Sequence, residues 1–140
     1  MCKRNVIIYI RNTNTIINGG RVAMLKTVRK LSVNENIISE IMHILQQSLG
    51  DNLIRIVLYG SYARGDYNNF SDIDIFILVN NEKIELNRIL RQISDSLFEL
   101  DLKYNITINP LIENIDIFNE YKENYLLFEN IEKEGIVLYG

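Results

Sequence analysis

A chain of 140 residues, 47% of them apolar, has the size and composition of one domain with one hydrophobic core. Its net charge of −3 at pH 7 argues against broad, nonspecific nucleic-acid binding, which depends on Lys and Arg side chains that neutralise phosphates. The one cysteine, Cys2, permits no internal disulfide, which fits a reducing, cytoplasmic location. No apolar run reaches the length of a membrane span.

The first 23 residues differ from the rest, and we expect an N-terminal extension at 1–23 followed by a domain at 24–140. Within the extension, residues 5–10 are predicted to form a strand and residues 12–20 a loop. The residues Asn18-Gly-Gly-Arg21, shortly before Met24, are what a translated ribosome-binding sequence would leave. We therefore hypothesise that the native chain begins at Met24. Peptides from residues 5–20, found by mass spectrometry of the protein from its own organism, would contradict this.

The first long helix is predicted to begin at Ser32-Val-Asn-Glu35, which has the spacing of a capping box. Apolar residues then recur at helical spacing, and Gly50 is a suitable C-terminal stop. The apolar positions are Ile37, Ile38, Ile41, Met42, Leu45 and Leu49. His43 lies on the same helix, and we interpret it as an exposed or half-buried helix residue rather than a catalytic one.

Two short runs rich in Ile and Val, Ile54–Tyr59 and Ile73–Val79, are predicted to be buried strands. Asp72 and Asp74 open the second run. Because side chains alternate along a strand, these two carboxylates are expected on one face, roughly 6–7 Å apart. They repel each other and resist desolvation, so a divalent cation with oxygen ligands, such as Mg²⁺, would supply the missing charge. The alternative is a strand end with solvated acids.

Gly60-Ser61 directly follows the first strand and is a candidate phosphate contact. A glycine lets the backbone approach a ligand closely, and the next amides can face a phosphate if a helix starts there. Arg64 offers a permanent planar cation for phosphate oxygens, although a solvated Arg in a plain connection is the alternative. The P-loop motif is excluded, because Asp66-Tyr67 stands where Lys and Ser or Thr are required.

The second half of the chain is predicted to contain a helix from Glu82 to about Lys103, after a turn at Asn80-Asn81. Ile106–Ile112 follows as a third strand, and Pro110 indicates an edge position or a bulge because proline donates no hydrogen bond. Two short helices and a terminal strand complete the prediction: Ile115–Tyr121, Leu126–Lys133 and Ile136–Tyr139.

The central motif resembles a known family. Gly60-Ser61, ten further residues and Asp72-x-Asp74 resemble the signature of the nucleotidyltransferase superfamily that includes DNA polymerase beta. The fuller pattern, Gly-Ser-Tyr-Ala-Arg-Gly at 60–65 and Ser-Asp-Ile-Asp at 71–74, resembles the minimal nucleotidyltransferases, small prokaryotic proteins often paired as antitoxin with a HEPN-domain toxin. The resemblance implies an α+β fold, in which helices pack on a small mixed β-sheet.

The same resemblance implies a Mg²⁺-dependent nucleotidyltransferase. Gly60-Ser61, Arg64 and Ser71 would bind the nucleoside triphosphate. Asp72 and Asp74 would be the catalytic residues and would bind one or two Mg²⁺ ions. ATP as the substrate, and a hydroxyl on a HEPN-type protein partner as the acceptor of the nucleoside monophosphate, are what the minimal family implies.

The third acidic residue of active superfamily members is missing from its expected place, on a neighbouring strand. Asn109 is predicted there, and Asn is a neutral ligand and no base at neutral pH. Glu113 on the same strand and Asp101 at the preceding helix end match poorly. The alternative function is therefore a noncatalytic module that neutralises its partner by contact. Nucleic-acid binding is disfavoured by the acidic charge and by the lack of an aromatic and basic stripe.

Overall fold

The computed structural model describes residues 15–18, 21–24 and 33–140. Its main sheet has four strands: β3 (Leu53–Tyr59), β4 (Ile73–Val79), β5 (Ile108–Asn114) and β6 (Ile136–Tyr139). Across the sheet they lie in the order β5-β4-β3-β6. Strand β3 is antiparallel to both β4 and β6, whereas β4 and β5 are parallel. The predicted mixed sheet is confirmed.

Five helices accompany the sheet in this part of the chain: α1 (Glu35–Leu49), α2 (Gly60–Arg64), α3 (Lys83–Tyr104), α4 (Ile115–Tyr121) and α5 (Leu126–Glu134). A 3₁₀ turn, Gly50–Asn52, links α1 to β3. Helix α3 is the crossover that a parallel pair of strands requires. Strand β5 lies at the sheet edge, which confirms the edge position predicted from Pro110. Within the described residues, no helix combines the length and the apolar character needed to cross a membrane.

Two local predictions were wrong. Helix α1 is capped by Asn34, whose Oδ1 accepts from the Asn36 N–H at 2.9 Å, rather than by a capping box at Ser32. The predicted loop at residues 12–20 contains strand β1 (Thr15–Asn18), which pairs antiparallel with β2 (Arg21–Met24). Its Thr and Ile residues favour a strand, and Gly-Gly is a typical sequence between paired strands. The strand predicted at residues 5–10 lies outside the described residues, and the domain boundary at residue 24 stays a prediction.

The two faces of the sheet carry different cores because side chains alternate along β4. Ile73, Ile75, Ile77 and Val79 are at most 1% exposed and pack with apolar residues of α1 and α3. Phe76 and Leu78 point to the other face. There Phe76 packs against the rings of Phe118 on α4 and Phe128 on α5, with centroid distances of 5.3 and 5.9 Å. Asp74 therefore belongs to the face covered by α4 and α5, at the end where β4 begins.

Candidate active site

Asp74 is the second residue of β4 and the centre of the polar cluster at this end of the sheet. Its register partners are Tyr59 on β3 and Asn109 on β5. The Asn109 Nδ2 group donates a hydrogen bond to Asp74 Oδ1 at 3.0 Å. The side chain of Asp74 is half-buried, so it is held by the protein while one side remains open to solvent.

Gly60 lies close to the other side of the Asp74 carboxylate. It starts α2 directly after β3 and has a φ of +70°, a conformation that residues with a Cβ rarely adopt. A Cβ built on Gly60 would lie 2.3 Å from Asp74 Oδ2. Glycine is thus required twice here, by the backbone conformation and by the close approach of a carboxylate. The sequence predicted a close approach at Gly60, and in this structure the approaching group is Asp74.

Asp72 immediately precedes β4 and is exposed. Between the two aspartates, the buried Ile73 anchors the strand start, and its N–H donates to the Thr107 carbonyl at 2.8 Å. Across residues 33–140, no three or more His, Cys, Asp or Glu side chains group to hold a metal ion. Mg²⁺ is usually held by one or two carboxylates, with water and substrate phosphates completing the octahedron. A pair of aspartates fits that donor set when a nucleotide is bound.

Asn109, and neither of the two nearby acids, stands beside Asp74. Glu113 pairs in register with Leu78, four residues along β5 from Asn109 and therefore roughly 13 Å away. Asp101, at the end of α3, accepts the Ile108 N–H at 2.9 Å. The structure thus places an amide where the sequence predicted one, and the two acids serve other contacts.

Negative charge at the cluster affects two neighbouring groups. Burial raises the pKa of the Tyr59 hydroxyl above its ordinary value, and the charge on Asp74 raises it further. Burial also raises the pKa of Asp101, against the hydrogen bond from the Ile108 N–H, and the charge on Asp72 adds to the increase. The charges of Asp74 and Asp72 thus each add to a raised pKa at one neighbouring group, and burial is the larger cause at both.

The predicted phosphate contacts lie on α2 and on the loop that leads to β4. Ser61 is half-buried in α2. Arg64 Nε donates to Asp66 Oδ2 at 3.2 Å, and Arg64 Nη1 lies 3.8 Å from Glu134 Oε2. Ser71 Oγ accepts the Asn68 N–H at 2.8 Å. The side chains of Arg64 and Ser71 are therefore already engaged within the protein, and binding of a phosphate by Arg64 would exchange one anion for another.

Sequence reasoning missed the partners of Arg64 and the turn at Asn68. Glu134 is seventy positions from Arg64, and no local pattern reports such a pair. The turn had a signal, because an Asn side chain that accepts from the backbone two residues on is a common turn device. Here Asn68 Oδ1 accepts the Phe70 N–H at 2.8 Å.

Comparison with known proteins identifies the family. The model of the family described as "Nucleotidyltransferase domain" matches residues 38–138, which include β3, β4, β5, most of β6, α2 and both aspartates. This chain belongs to the nucleotidyltransferase domain family. The predicted resemblance is thereby confirmed, and the protein is an enzyme of the nucleotidyltransferase kind.

This nucleotidyltransferase has relatives in Methanocaldococcus jannaschii. One, named "Putative protein adenylyltransferase", is 36% identical over 105 residues, which cover 75% of this chain and 97% of the relative. Another with the same descriptive name is 39% identical over 97 residues, which cover 64% of this chain and 91% of the relative. A solved structure described as a toxin-antitoxin with AMP-PNP covers 74% of this chain and 73% of its own, at 20% identity and a TM-score of 0.47.

Proposed function

We propose that this nucleotidyltransferase moves AMP from ATP to a hydroxyl on a HEPN-type protein partner in the cytoplasm, and that it requires Mg²⁺. The observation that supports this most strongly is the placement of Asp74. Its carboxylate lies between Gly60 and Asn109, two residues from the exposed Asp72, at the point where β3 passes into α2. This arrangement places the two halves of the sequence motif, residues 60–65 and 71–74, next to each other in the fold.

In the proposed reaction, Asp72 and Asp74 hold one or two Mg²⁺ ions, which when bound neutralise charge on the triphosphate. Gly60-Ser61, Arg64 and Ser71 orient the triphosphate. The acceptor oxygen forms a bond to the α-phosphorus, the bond from that phosphorus to the bridging oxygen breaks, and pyrophosphate leaves. The hydroxyl proton passes to water. As in phosphoryl transfer generally, the protein mainly positions groups and supplies charge.

Two observations support a protein as the acceptor. The relatives from Methanocaldococcus jannaschii carry names that describe transfer to protein. The net charge of −3 disfavours a nucleic-acid acceptor, which would need several Lys and Arg contacts. The HEPN type of the partner follows from the resemblance of residues 60–74 to the minimal nucleotidyltransferases.

The test is transfer of label from α-phosphate-labelled ATP, with Mg²⁺, in lysate of the source organism. We expect a discrete protein band with the wild type and none with the double variant Asp72→Asn, Asp74→Asn. A matched control changes two exposed aspartates elsewhere, Asp51→Asn and Asp95→Asn, and should label the band like the wild type. No band with any form of the protein, despite Mg²⁺-dependent ATP binding, would reject the transferase.

Asn109 favours a second candidate, a module that neutralises its partner by contact without catalysis. An amide beside Asp74 gives no negative charge, and within residues 33–140 no third acid completes a metal cluster. Loss of a ligand weakens the stabilisation of charge in the transition state. The two candidates differ in the Asp72→Asn, Asp74→Asn variant: a contact module would still neutralise its partner, whereas a transferase would not.

A further inference from the structure

Phe70 is the most exposed large apolar side chain among the described residues, at 95% of its full accessible surface. It lies in the loop between α2 and β4, two residues before Asp72, so the two Cα atoms are at most about 7 Å apart. We propose that Phe70 is a docking residue for the protein acceptor. This inference rests on the proposed function, because it assigns a contact to the acceptor of that reaction.

Hydrogen bonds define the backbone of the loop that carries Phe70. The Phe70 N–H donates to Asn68 Oδ1 at 2.8 Å, the Asn68 N–H donates to Ser71 Oγ at 2.8 Å, and the Ser71 N–H donates to the Asn68 carbonyl at 3.0 Å. Nearer α2, Tyr67 stacks on Tyr62 with ring centroids 4.4 Å apart. The turn is thus closed by its own hydrogen bonds on both sides of Phe70, so little backbone entropy of the loop remains to be lost on binding.

The chemistry around Phe70 indicates what kind of group would bind to it. A phenyl ring offers nothing to the charged triphosphate, and it would gain by leaving water against another apolar group. Asp66, four residues before Phe70, is paired with Arg64, and the exposed Asp72 follows two residues after Phe70. A fitting acceptor therefore presents an apolar or aromatic side chain close to the hydroxyl that reaches Asp72 and Asp74. Aromatic residues, Phe among them, are enriched at the cores of protein–protein interfaces.

The experiment compares Phe70→Ala with Phe98→Ala, a control on α3, which packs on the opposite face of the sheet and leaves Phe98 57% exposed. Labelling is measured at lysate dilutions where the labelling rate is proportional to the lysate concentration. Under these conditions the rate reports kcat/KM for the acceptor. AMP-PNP affinity is measured in parallel by calorimetry. We expect Phe70→Ala to lower labelling about tenfold or more and to change AMP-PNP affinity less than about twofold. Phe98→Ala should leave both unchanged, and Phe70→Leu should restore most labelling.

Each other outcome overturns the inference. Unchanged labelling by Phe70→Ala, with the wild type active, rejects the docking role alone. A parallel loss of AMP-PNP affinity would assign the ring to the nucleotide base, and label sensitive to ribonuclease would assign it to a nucleic-acid acceptor. A Tm of Phe70→Ala well below that of the wild type would mean that the ring supports the fold. If even the wild type labels no protein, the proposed function fails, and this inference fails with it.

Discussion

Replacing Gly60 with Ala tests the geometry of the site most directly. The added Cβ would lie 2.3 Å from Asp74 Oδ2, whereas ordinary contacts begin near 3.4 Å. If the backbone stays in place, the carboxylate must therefore move by about 1 Å. That shift would break the 3.0 Å hydrogen bond from Asn109, which is worth about 1 kcal/mol. The left-handed conformation of residue 60 costs a side chain about 1–2 kcal/mol more.

Gly65→Ala separates these two effects. Gly65 has a φ of +85°, so it carries the same kind of backbone cost, but a Cβ there would meet nothing within 4 Å. We expect urea unfolding, followed by circular dichroism, to show a loss of about 2–3 kcal/mol for Gly60→Ala and about 1–2 kcal/mol for Gly65→Ala. AMP transfer by Gly60→Ala should fall about a hundredfold, since a 1 Å misplacement can cost that much.

A double-mutant cycle then assigns the difference to Asp74. In the background Asp74→Ala, the carboxylate that meets the new Cβ is gone, so Gly60→Ala should cost no more stability than Gly65→Ala does. Equal losses of stability for Gly60→Ala and Gly65→Ala in the wild-type background would refute the reasoning. Such a result would mean that the Asp74 carboxylate moves aside at no cost, and that its neighbours do not hold it in place.

Three further predictions concern Asn109 in the site, Glu40 on α1 and Phe76 in the core. Asn109→Asp puts a second carboxylate beside Asp74 and should lower Tm without Mg²⁺, and added Mg²⁺ should restore it; a Tm insensitive to Mg²⁺ would contradict this. Hydrogen bonds from Lys103 and Tyr104 lower the pKa of the Glu40 carboxyl. The ionised carboxylate therefore stabilises the folded protein above pH 4.5, and this stabilisation is lost as the pH falls through the lowered pKa. The difference in Tm between the wild type and Glu40→Gln should accordingly disappear at low pH. Phe76→Ala should cost about 3–5 kcal/mol in urea unfolding, and exposed Phe98→Ala far less.

Most strands and helices were predictable because their signals are local. Strand β4 has the predicted bounds, and β3 begins one residue earlier than predicted, since short Ile and Val runs between turn residues leave few alternatives. Helix α3 differs from its prediction by one residue at each end. Strand β5 was predicted two residues too early. Its start is fixed by pairing Ile108 with Ile73, a contact that the local sequence does not show.

The candidate site was predictable as a set of residues and less so as a geometry. The motif alone indicated Gly60, Asp72 and Asp74, and the spacing of the third strand indicated Asn109. The sequence could not show that Gly60 contacts Asp74 rather than a ligand, because the contact depends on how β3 and β4 pair. Nor could it show that Arg64 is occupied by Asp66 and Glu134.

The polar cluster around Asp74 is assembled from two segments that lie apart in the sequence. Gly60 and Asp74 belong to one antiparallel unit, β3–α2–β4, whose strands are joined by a short connection. Asn109 comes from β5, which follows the 22-residue helix α3 in the chain. A substitution at position 109 therefore changes the charge beside Asp74 while the sequence of the unit that carries the motif stays the same.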